Sequence, residues 1–259
     1  YLRLRLPLEL RLHPIDLFLG LGQALPAFNT TPSIGFIYDL GFLFHPEAYG
    51  NAAGRLRAQT EYLARNAAAI VAISGSTKSD IMERFHMDGS TITVAYPGVD
   101  ERFYVNRASH KHPRPYFLFV GSLNKAKDIP LLLESFEIFL QTTKNAVDLL
   151  LVGGEYWPDP AIDEAIATYN LSSRVIKVGH VTDALLPMYY HGAVAFVTTA
   201  LHEGFCLPAV EAMASGTPVI AVSRGALPEV VGDGGLVTHA DSHHISRAME
   251  QMMKKSLRI

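Results

Sequence analysis

Cysteine is nearly absent: Cys206 is the one cysteine among the 259 residues. An intrachain disulfide is therefore excluded. Long apolar runs are absent too, since no stretch reaches the length of about 20 residues that a membrane-spanning helix needs. There is also no charged segment followed by an apolar segment and a cleavage site, as a secretory signal would have. These absences predict a protein of the cytoplasm that does not span a membrane.

An excess of charge of one sign is also lacking. The 22 lysines and arginines nearly balance 25 aspartates and glutamates, which gives a net charge of -3 and an isoelectric point near 6.4. Such a chain has no broad cationic field to hold a polyanion, so nucleic acid is not an expected partner. With 49% hydrophobic residues, the composition is that of a globular protein with a large core, and we expect two domains.

Short apolar runs alternate with helical patterns along most of the chain. The predicted strands are 15–19, 34–38, 69–74, 92–95, 116–121, 147–153, 175–179, 194–198 and 218–222. The predicted helices are 54–66, 77–86, 129–142, 160–169, 183–190, 208–215 and 241–254. Continuous apolar strands that alternate with helices are typical of parallel sheets covered on both faces, so the predicted class is α/β.

A polar, proline-containing stretch, DERFYVNRASHKHPRP at 100–115, interrupts the alternation and predicts an interdomain linker. We place the boundary near residue 110, between domains 1–109 and 110–259. The second block has the strands and helices of a complete Rossmann-like domain. The first block has fewer strands and no opening βα turn, so we expect it to be a partial Rossmann-like domain.

The first residues, YLRLRLPLELRL, alternate leucine with charged residues as an amphipathic strand would. Their helical propensities and Pro7 instead favour a helix, which is our prediction. Its basic residues Arg3, Arg5 and Arg11 suit an anionic membrane surface. A solvated helix face is the simpler interpretation, and both remain open.

The most informative segment is TTALHEGFCLPAVEAMASGTPVIAV at 198–222. Pro208 suits the first turn of a helix and Gly216 suits its left-handed C-terminal cap. Glu203 then lies in the loop before the helix, and Glu211 on its first turn. Unpaired amides at a helix start carry positive partial charge, and in a parallel sheet the carboxyl ends of the strands are where ligands bind. The segment therefore predicts a site for a diphosphate.

This segment resembles the signature of the family 4 glycosyltransferases, in which E-G-F-x-L-P-x-x-E continues into A-M-A-x-G-T-P-V-I. Further landmarks of that family match in order: YDLGFLFHPEAY at 38–49, AISGSTKSDI at 72–81, PGVD at 97–100, VGSLNKAKDIPLLLESF at 120–136, VGHVTDALLPMYYHGAVAFV at 178–197 and GALPEVVGDGG at 225–235. The resemblance implies a GT-B fold, in which two Rossmann-like domains face a cleft. It also implies a retaining enzyme that moves a hexose, mannose or glucose, from a nucleotide-diphosphate sugar to a glycan or lipid-linked acceptor.

The resemblance also implies residue roles. Glu203 would bond the transferred sugar and Glu211 the ribose, and an ionised carboxylate suits both because it accepts two neighbouring hydroxyls. Lys127 would stabilise the diphosphate as charge accumulates on the leaving group. The implied catalytic residues are Glu203, Lys127, Asp39 and Tyr38. The implied donor-binding residues are Glu211, Gly204, Phe205, Cys206, Leu207, Gly121, Ser122 and Val181, the last through backbone groups near the base.

The path that the resemblance implies is front-face transfer, in which a donor phosphate oxygen accepts the proton of the incoming hydroxyl. Asp39 is an alternative participant, and capping of the turn after its strand is an equally open interpretation. Three residues depart from the family pattern, because Ala126 replaces an arginine, Tyr38 a histidine and Cys206 a glycine. These departures suit an altered specificity or, as the alternative function, a silent homologue that binds sugar nucleotides. An epimerase or phosphorylase on the same architecture is less favoured.

Eleven histidines invite a metal hypothesis. His239 and His243 have no third ligand near them in the sequence, and no Asp-x-Asp motif is present to chelate a nucleotide-bound cation. We therefore expect metal-independent transfer, with the nucleotide sugar as co-substrate and no cofactor.

Overall fold

A computed structural model describes residues 4–28, 31–105, 108–143, 146–155 and 157–256. The chain divides into two compact units, residues 1–97 and residues 98–259. Each unit has its own parallel sheet, so the predicted α/β class is confirmed.

The first unit contains a four-stranded sheet in the order β1-β2-β3-β4. Its strands are β1 Phe18–Gly20, β2 Ser33–Ile37, β3 Ala69–Ala72 and β4 Ile92–Val94. Its helices are α1 Arg5–Leu12, α2 Gly41–Phe44, α3 Pro46–Tyr49, α4 Ala52–Asn66 and α5 Gly75–Phe85. All neighbouring strands pair in parallel, and the fully buried Ile37, Leu63 and Ile81 lie in the core of this unit.

Helix α1 confirms the helix predicted for the first residues. Arg5 forms an exposed ion pair with Glu9 at 2.8 Å, while Arg3 lies outside the described residues. Among the helices that the structure describes, none is long and apolar enough to cross a membrane.

The second unit contains a six-stranded parallel sheet. Its strands are β5 Tyr116–Val120, β6 Asp148–Val152, β7 Val175–Gly179, β8 Ala195–Thr198, β9 Val219–Val222 and β10 Gly235–Thr238. Its helices are α6 Arg102–Val105, α7 Ile129–Thr142, α8 Pro160–Thr168, α9 Leu186–Gly192, α10 Leu207–Ala214, α11 Leu227–Val231 and α12 Ser242–Ser256. Strand β10 was not predicted, because its residues are only partly buried and do not form an apolar run.

The strand order of this sheet is β10-β9-β8-β5-β6-β7, the order of a Rossmann fold. After β7 the chain crosses back to the free side of β5, where β8 pairs with it, Phe117 opposite Ala195. Strand order therefore reverses between β5 and β8, which makes this the topological switch point of the sheet. A crevice at such a switch point is the usual ligand site of an open parallel sheet.

The ends of β5 and β6 approach each other closely at this edge. Gly153 has a φ of +144°, and a Cβ placed on it would lie 1.9 Å from the carbonyl oxygen of Gly121. Any side chain at position 153 would therefore push the two strand ends apart. The loop that begins at Gly121 is thus held close to its neighbour.

The division between the units falls before Gly98, ahead of the boundary predicted near residue 110. The polar stretch after it packs on the second unit. Phe103 is buried and contacts the ring of Tyr190 edge-on, with centroids 5.8 Å apart. The N–H of His110 donates to the carbonyl of Met188 at 2.9 Å. Only these few contacts are needed to attach the segment to the second unit. Its composition is otherwise polar, which is why the sequence predicted a linker.

Candidate functional site

The ammonium of Lys127 and the carboxylate of Glu203 form an ion pair with a distance of 2.6 Å between Nζ and Oε1. Lys127 ends the 3₁₀ turn Lys125–Lys127 that follows β5, and Glu203 follows β8. Both side chains are largely buried, with exposed fractions of 26% and 14%. The structure thus brings together two residues that the sequence analysis assigned to one site.

Backbone contacts hold the two loops together beside this pair. The N–H of Leu201 donates to the carbonyl of Ala126 at 2.9 Å. The hydroxyl of Thr199 lies 3.1 Å and 2.9 Å from the carbonyl oxygens of Lys127 and Asp128. The lysine is therefore carried by a loop that is fixed at its backbone, which limits the reorganisation needed when charge develops beside it.

Arg224 joins a third loop, the one after β9, to the same assembly. Its Nη1 donates to Asp128 Oδ2 at 2.9 Å and to the carbonyl of Thr199 at 3.1 Å. The next residue, Gly225, has a φ of +53°, and a Cβ on it would lie 2.5 Å from the carbonyl oxygen of Glu203. Only glycine allows this loop to pack against the backbone of Glu203.

The segment between Glu203 and α10 is buried at Gly204, Phe205 and Cys206, whereas Leu207 is 43% exposed. Cys206 precedes the helix in the left-handed conformation, with φ 78° and ψ 70°, which costs a residue with a Cβ about 1–2 kcal/mol. No acidic side chain lies in the first turn of α10, so the positive partial charge of its amides is not neutralised from within that turn.

Glu211 lies in the second turn of α10 and not in the first, which corrects the prediction. The reason is that the helix begins at Leu207, one residue ahead of Pro208, so that Glu211 is its fifth residue. The predicted C-terminal cap is confirmed, since Gly216 has a φ of +78°.

One oxygen of the Glu211 carboxylate, Oε2, accepts a hydrogen bond of 2.8 Å from the hydroxyl of Tyr190. Burial raises the pKa of Glu211 above its ordinary value, and the Tyr190 hydrogen bond acts in the opposite direction. The charge of Asp183 also raises this pKa, and the charge of Arg102 lowers it. The carboxylate is therefore held in place but is easier to protonate than an exposed glutamate.

The Cys206 thiol is buried, and burial raises its pKa to about 12, with the charge of Glu203 as a further cause. A thiol in this state is neutral and a poor nucleophile. We expect a thiolate-specific reagent at pH 8 to leave Cys206 unlabelled in the folded protein and to label it in the unfolded protein. Rapid labelling of the folded protein, followed by absorbance, would contradict this burial.

Three other predicted donor-binding residues lie at the same edge of the second sheet. Gly121 and Ser122 begin the loop that carries Lys127, and the N–H of Gly121 donates to the carbonyl of Val152 at 2.9 Å. Val181 follows β7 and is partly buried against the core of the unit. Their contact with a nucleotide stays a prediction.

Tyr38 and Asp39 belong to the first unit and follow β2. Tyr38 is 40% exposed. The Asp39 carboxylate accepts hydrogen bonds from the N–H of Gly41 and from the hydroxyl of Tyr49, so the turn-capping role is observed. Gln23 fixes this segment from the side, because its amide accepts from the N–H of Tyr38 at 3.0 Å and donates to the carbonyl of Asp39 at 2.9 Å.

The sequence analysis missed Tyr190, Arg224 and Gln23. Arg224 had a usable signal, since it follows the carboxyl end of a predicted parallel strand, where ligand-binding residues gather. Tyr190 is quoted above within a family landmark, but the partner of its hydroxyl depends on the fold. Within the described ranges, no three histidine, cysteine, aspartate or glutamate side chains are grouped as a metal site would require.

The family model described as glycosyl transferases group 1 matches residues 100–258, which lie in the second unit. The O-antigen chain mannosyltransferase B of Escherichia coli is 34% identical over 52% of this chain and 37% of its own length. The MMP alpha-(1->4)-mannosyltransferase of Mycolicibacterium hassiacum is 31% identical over 74% of this chain and 46% of its own length. The chain therefore spans less than half the length of these two curated relatives.

Solved structures of glycosyltransferases share the fold. HepE of Anabaena, solved in complex with UDP and glucose, superimposes with a TM-score of 0.77 at 20% identity, over 96% of this chain and 71% of that one. The sucrose-phosphate synthase of Thermosynechococcus elongatus superimposes with a TM-score of 0.71 at 22% identity, over 89% and 60% of the two chains. The predicted GT-B fold is confirmed, and this chain covers part of it.

Proposed function

We propose that this chain, which belongs to the glycosyl transferases group 1 family, is part of a retaining hexosyltransferase of family 4, in which residues 110–259 bind the donor and residues 1–109 form part of the acceptor side. The enzyme transfers a hexose from a nucleotide-diphosphate sugar to a glycan or lipid-linked acceptor. The observation that carries the proposal is the Lys127–Glu203 pair at the switch point of the second sheet. The ammonium suits the diphosphate of a nucleotide sugar, and the carboxylate suits the hydroxyls of the sugar.

Mannose is the hexose that we propose first. Two curated relatives are named as mannosyltransferases, one of them for the O-antigen chain, which supports mannose and a glycan acceptor. Glucose is the alternative, because HepE was solved with UDP and glucose. Leu8 and Leu12 are exposed on α1 beside Arg11, which supports meeting a lipid-linked acceptor at an anionic membrane surface.

The chemistry follows from the charges in the site. Breaking the bond between the anomeric carbon and the phosphate oxygen leaves negative charge on the diphosphate, which the Lys127 ammonium and the α10 amides stabilise. Glu203 accepts hydrogen bonds from hydroxyls of the transferred sugar. We propose that the leaving phosphate oxygen accepts the proton of the incoming hydroxyl, so that transfer needs no metal, cofactor or enzymic nucleophile. Asp39 caps its turn in this scheme.

The test is a donor panel applied to the full-length protein. Binding of GDP-mannose, UDP-glucose and related sugar nucleotides is measured by calorimetry, and transfer is measured with glycan and lipid-linked acceptors in vesicles. Selective binding with transfer supports the proposal. Selective binding without transfer to any acceptor would identify a silent homologue, the alternative that Ala126 and Tyr38 suggest. Binding of no donor would overturn the site assignment.

The raised pKa of Glu211 predicts the pH dependence of nucleotide binding. The ionised carboxylate accepts hydrogen bonds from the ribose, so affinity is present above its pKa and is lost as the pH falls through it. We expect UDP or GDP to bind more weakly as the pH falls below neutrality, with a midpoint above the ordinary glutamate pKa of about 4.3.

The control for this pH dependence is Glu211→Gln, whose amide does not titrate. If Glu211→Gln still loses nucleotide affinity at low pH, that loss comes from titration of the nucleotide or of other groups. It is subtracted from the loss measured for the wild type. An identical pH profile for the two proteins would contradict the role of Glu211.

A further inference from the structure

Tyr190 is fully buried in the second unit, and its ring is fixed on two sides. Phe103 and Phe196 contact it edge-on, with centroids 5.8 Å and 6.0 Å away. Its backbone carbonyl accepts a hydrogen bond of 2.6 Å from the hydroxyl of Thr217. The tyrosine is therefore held within the core, and these contacts define the direction of its hydroxyl.

The Tyr190 hydroxyl contacts the candidate site through one hydrogen bond to Glu211. A buried phenol O–H needs an acceptor, and the acceptor is Glu211 Oε2 at 2.8 Å. Among the described residues, Oε2 is the only carboxylate oxygen of Glu211 that takes part in a hydrogen bond. One oxygen is thus anchored to the core, and the other is available to a ligand.

We infer that Tyr190 is a positioning residue, which orients Glu211 so that its second oxygen meets the ribose hydroxyls of the nucleotide. The inference rests on the proposed function, in which Glu211 binds the ribose. An unanchored glutamate would have to give up side-chain freedom when it binds, whereas this one is already ordered. Tyr190 therefore contributes to the preference for a ribonucleotide without contacting it.

Other groups around Glu211 hold it less firmly. Arg102 on α6 and Asp183 before α9 act on it through charge alone, and they pair with each other at 3.5 Å with exposed fractions of 41% and 80%. The Cys206 thiol is neutral near pH 7, because burial raises its pKa to about 12, so it places no charge beside Tyr190 at that pH. Tyr190 is thus the buried hydrogen-bond donor among these neighbours.

The test compares UDP and GDP with their 2′,3′-dideoxy forms, by calorimetry on the full-length protein and on Tyr190→Phe. Because the hydrogen bond orders Glu211 before the nucleotide binds, its loss leaves one side chain to be ordered on binding, and we expect Tyr190→Phe to bind the ribonucleotide roughly three- to tenfold more weakly. Affinity for the dideoxy nucleotide should change less than about twofold. The ratio of ribonucleotide affinity to dideoxynucleotide affinity therefore falls in Tyr190→Phe. The loss of ribonucleotide affinity at low pH also begins at a higher pH, because the hydrogen bond from Tyr190 lowers the pKa of Glu211.

Tyr116→Phe is a matched control. Tyr116 is buried in the same core, and its hydroxyl donates over the same 2.8 Å to a backbone carbonyl, that of Tyr189. This variant loses a buried tyrosine hydroxyl without touching Glu211, so its affinity ratio should equal that of the wild type. Thermal unfolding of both variants reports any general loss of stability.

The outcomes separate the inference from the function on which it rests. Equal weakening of both nucleotides by Tyr190→Phe, or no weakening of either, would show a structural role and overturn the inference. Glu211→Ala should remove most of the preference for the ribonucleotide. If Glu211→Ala keeps that preference, the ribose role of Glu211 fails, and the inference fails with it.

Discussion

Replacing Lys127 with alanine should lower the rate of sugar transfer by about 100-fold or more, as removal of a single group that stabilises developing charge does in other enzymes. The lysine ammonium lies in a largely buried site, where little water is available to replace it. Its attraction to the diphosphate grows as the glycosidic bond breaks, so the loss should appear mainly in kcat. Steady-state kinetics with the best donor measures the effect.

Lys125→Ala is the control for this variant. Lys125 lies in the same 3₁₀ turn and is exposed. Its replacement by alanine makes the same change in net charge but leaves the Lys127 ammonium in the candidate site. We expect its kcat to stay within about twofold of the wild type, the scale of a surface charge change. Equal losses in the two variants would show that the turn, and not the ammonium of Lys127, matters.

Replacing Glu203 with glutamine should separate two properties that usually change together. Transfer should fall by about 100-fold, because the acceptor of the sugar hydroxyls becomes an amide. Binding of the nucleoside diphosphate alone should become roughly three- to tenfold tighter. The reason is that Glu203 pairs with Lys127 at 2.6 Å and places a negative charge where the diphosphate must bind. Without that charge, the attraction of Lys127 to Glu203 no longer opposes its attraction to the diphosphate.

Calorimetry with UDP and GDP, in parallel with transfer assays, measures both effects. Glu164→Gln is the control, since Glu164 is exposed on α8 and its replacement makes the same change in net charge. It should alter neither property. Weaker binding of the diphosphate to Glu203→Gln would contradict competition between the carboxylate and the diphosphate for Lys127.

Much of the architecture was predictable from the sequence because it depends on local patterns. Buried parallel strands are continuous apolar runs, so strands such as β5, β6 and β9 are recognised without knowledge of their neighbours. The end of α10 was predictable for a similar reason, since the left-handed cap at Gly216 suits glycine. The segment around Glu203 and Glu211 indicated the place of the candidate site through its helix-start residues and its resemblance to a family signature.

Elements with weak local patterns were missed. Strand β10 is partly exposed and has no apolar run. Helix α6 lies in a polar stretch, and it packs on the second unit largely through Phe103. One buried aromatic residue among polar ones does not produce the hydrophobic periodicity of a helix. The composition therefore suggested a linker, whereas the structure has a segment packed on the second unit.

The pairs that make the site were decided by tertiary structure. Composition and periodicity determined the α/β class, and the motifs determined which residues to examine. The strand order placed β8 beside β5, and so Glu203 beside Lys127. The packing of α9 against α10 likewise brought the Tyr190 hydroxyl to Glu211. These contacts join residues far apart in the chain. Local propensity does not predict them, because it depends only on near neighbours in the sequence.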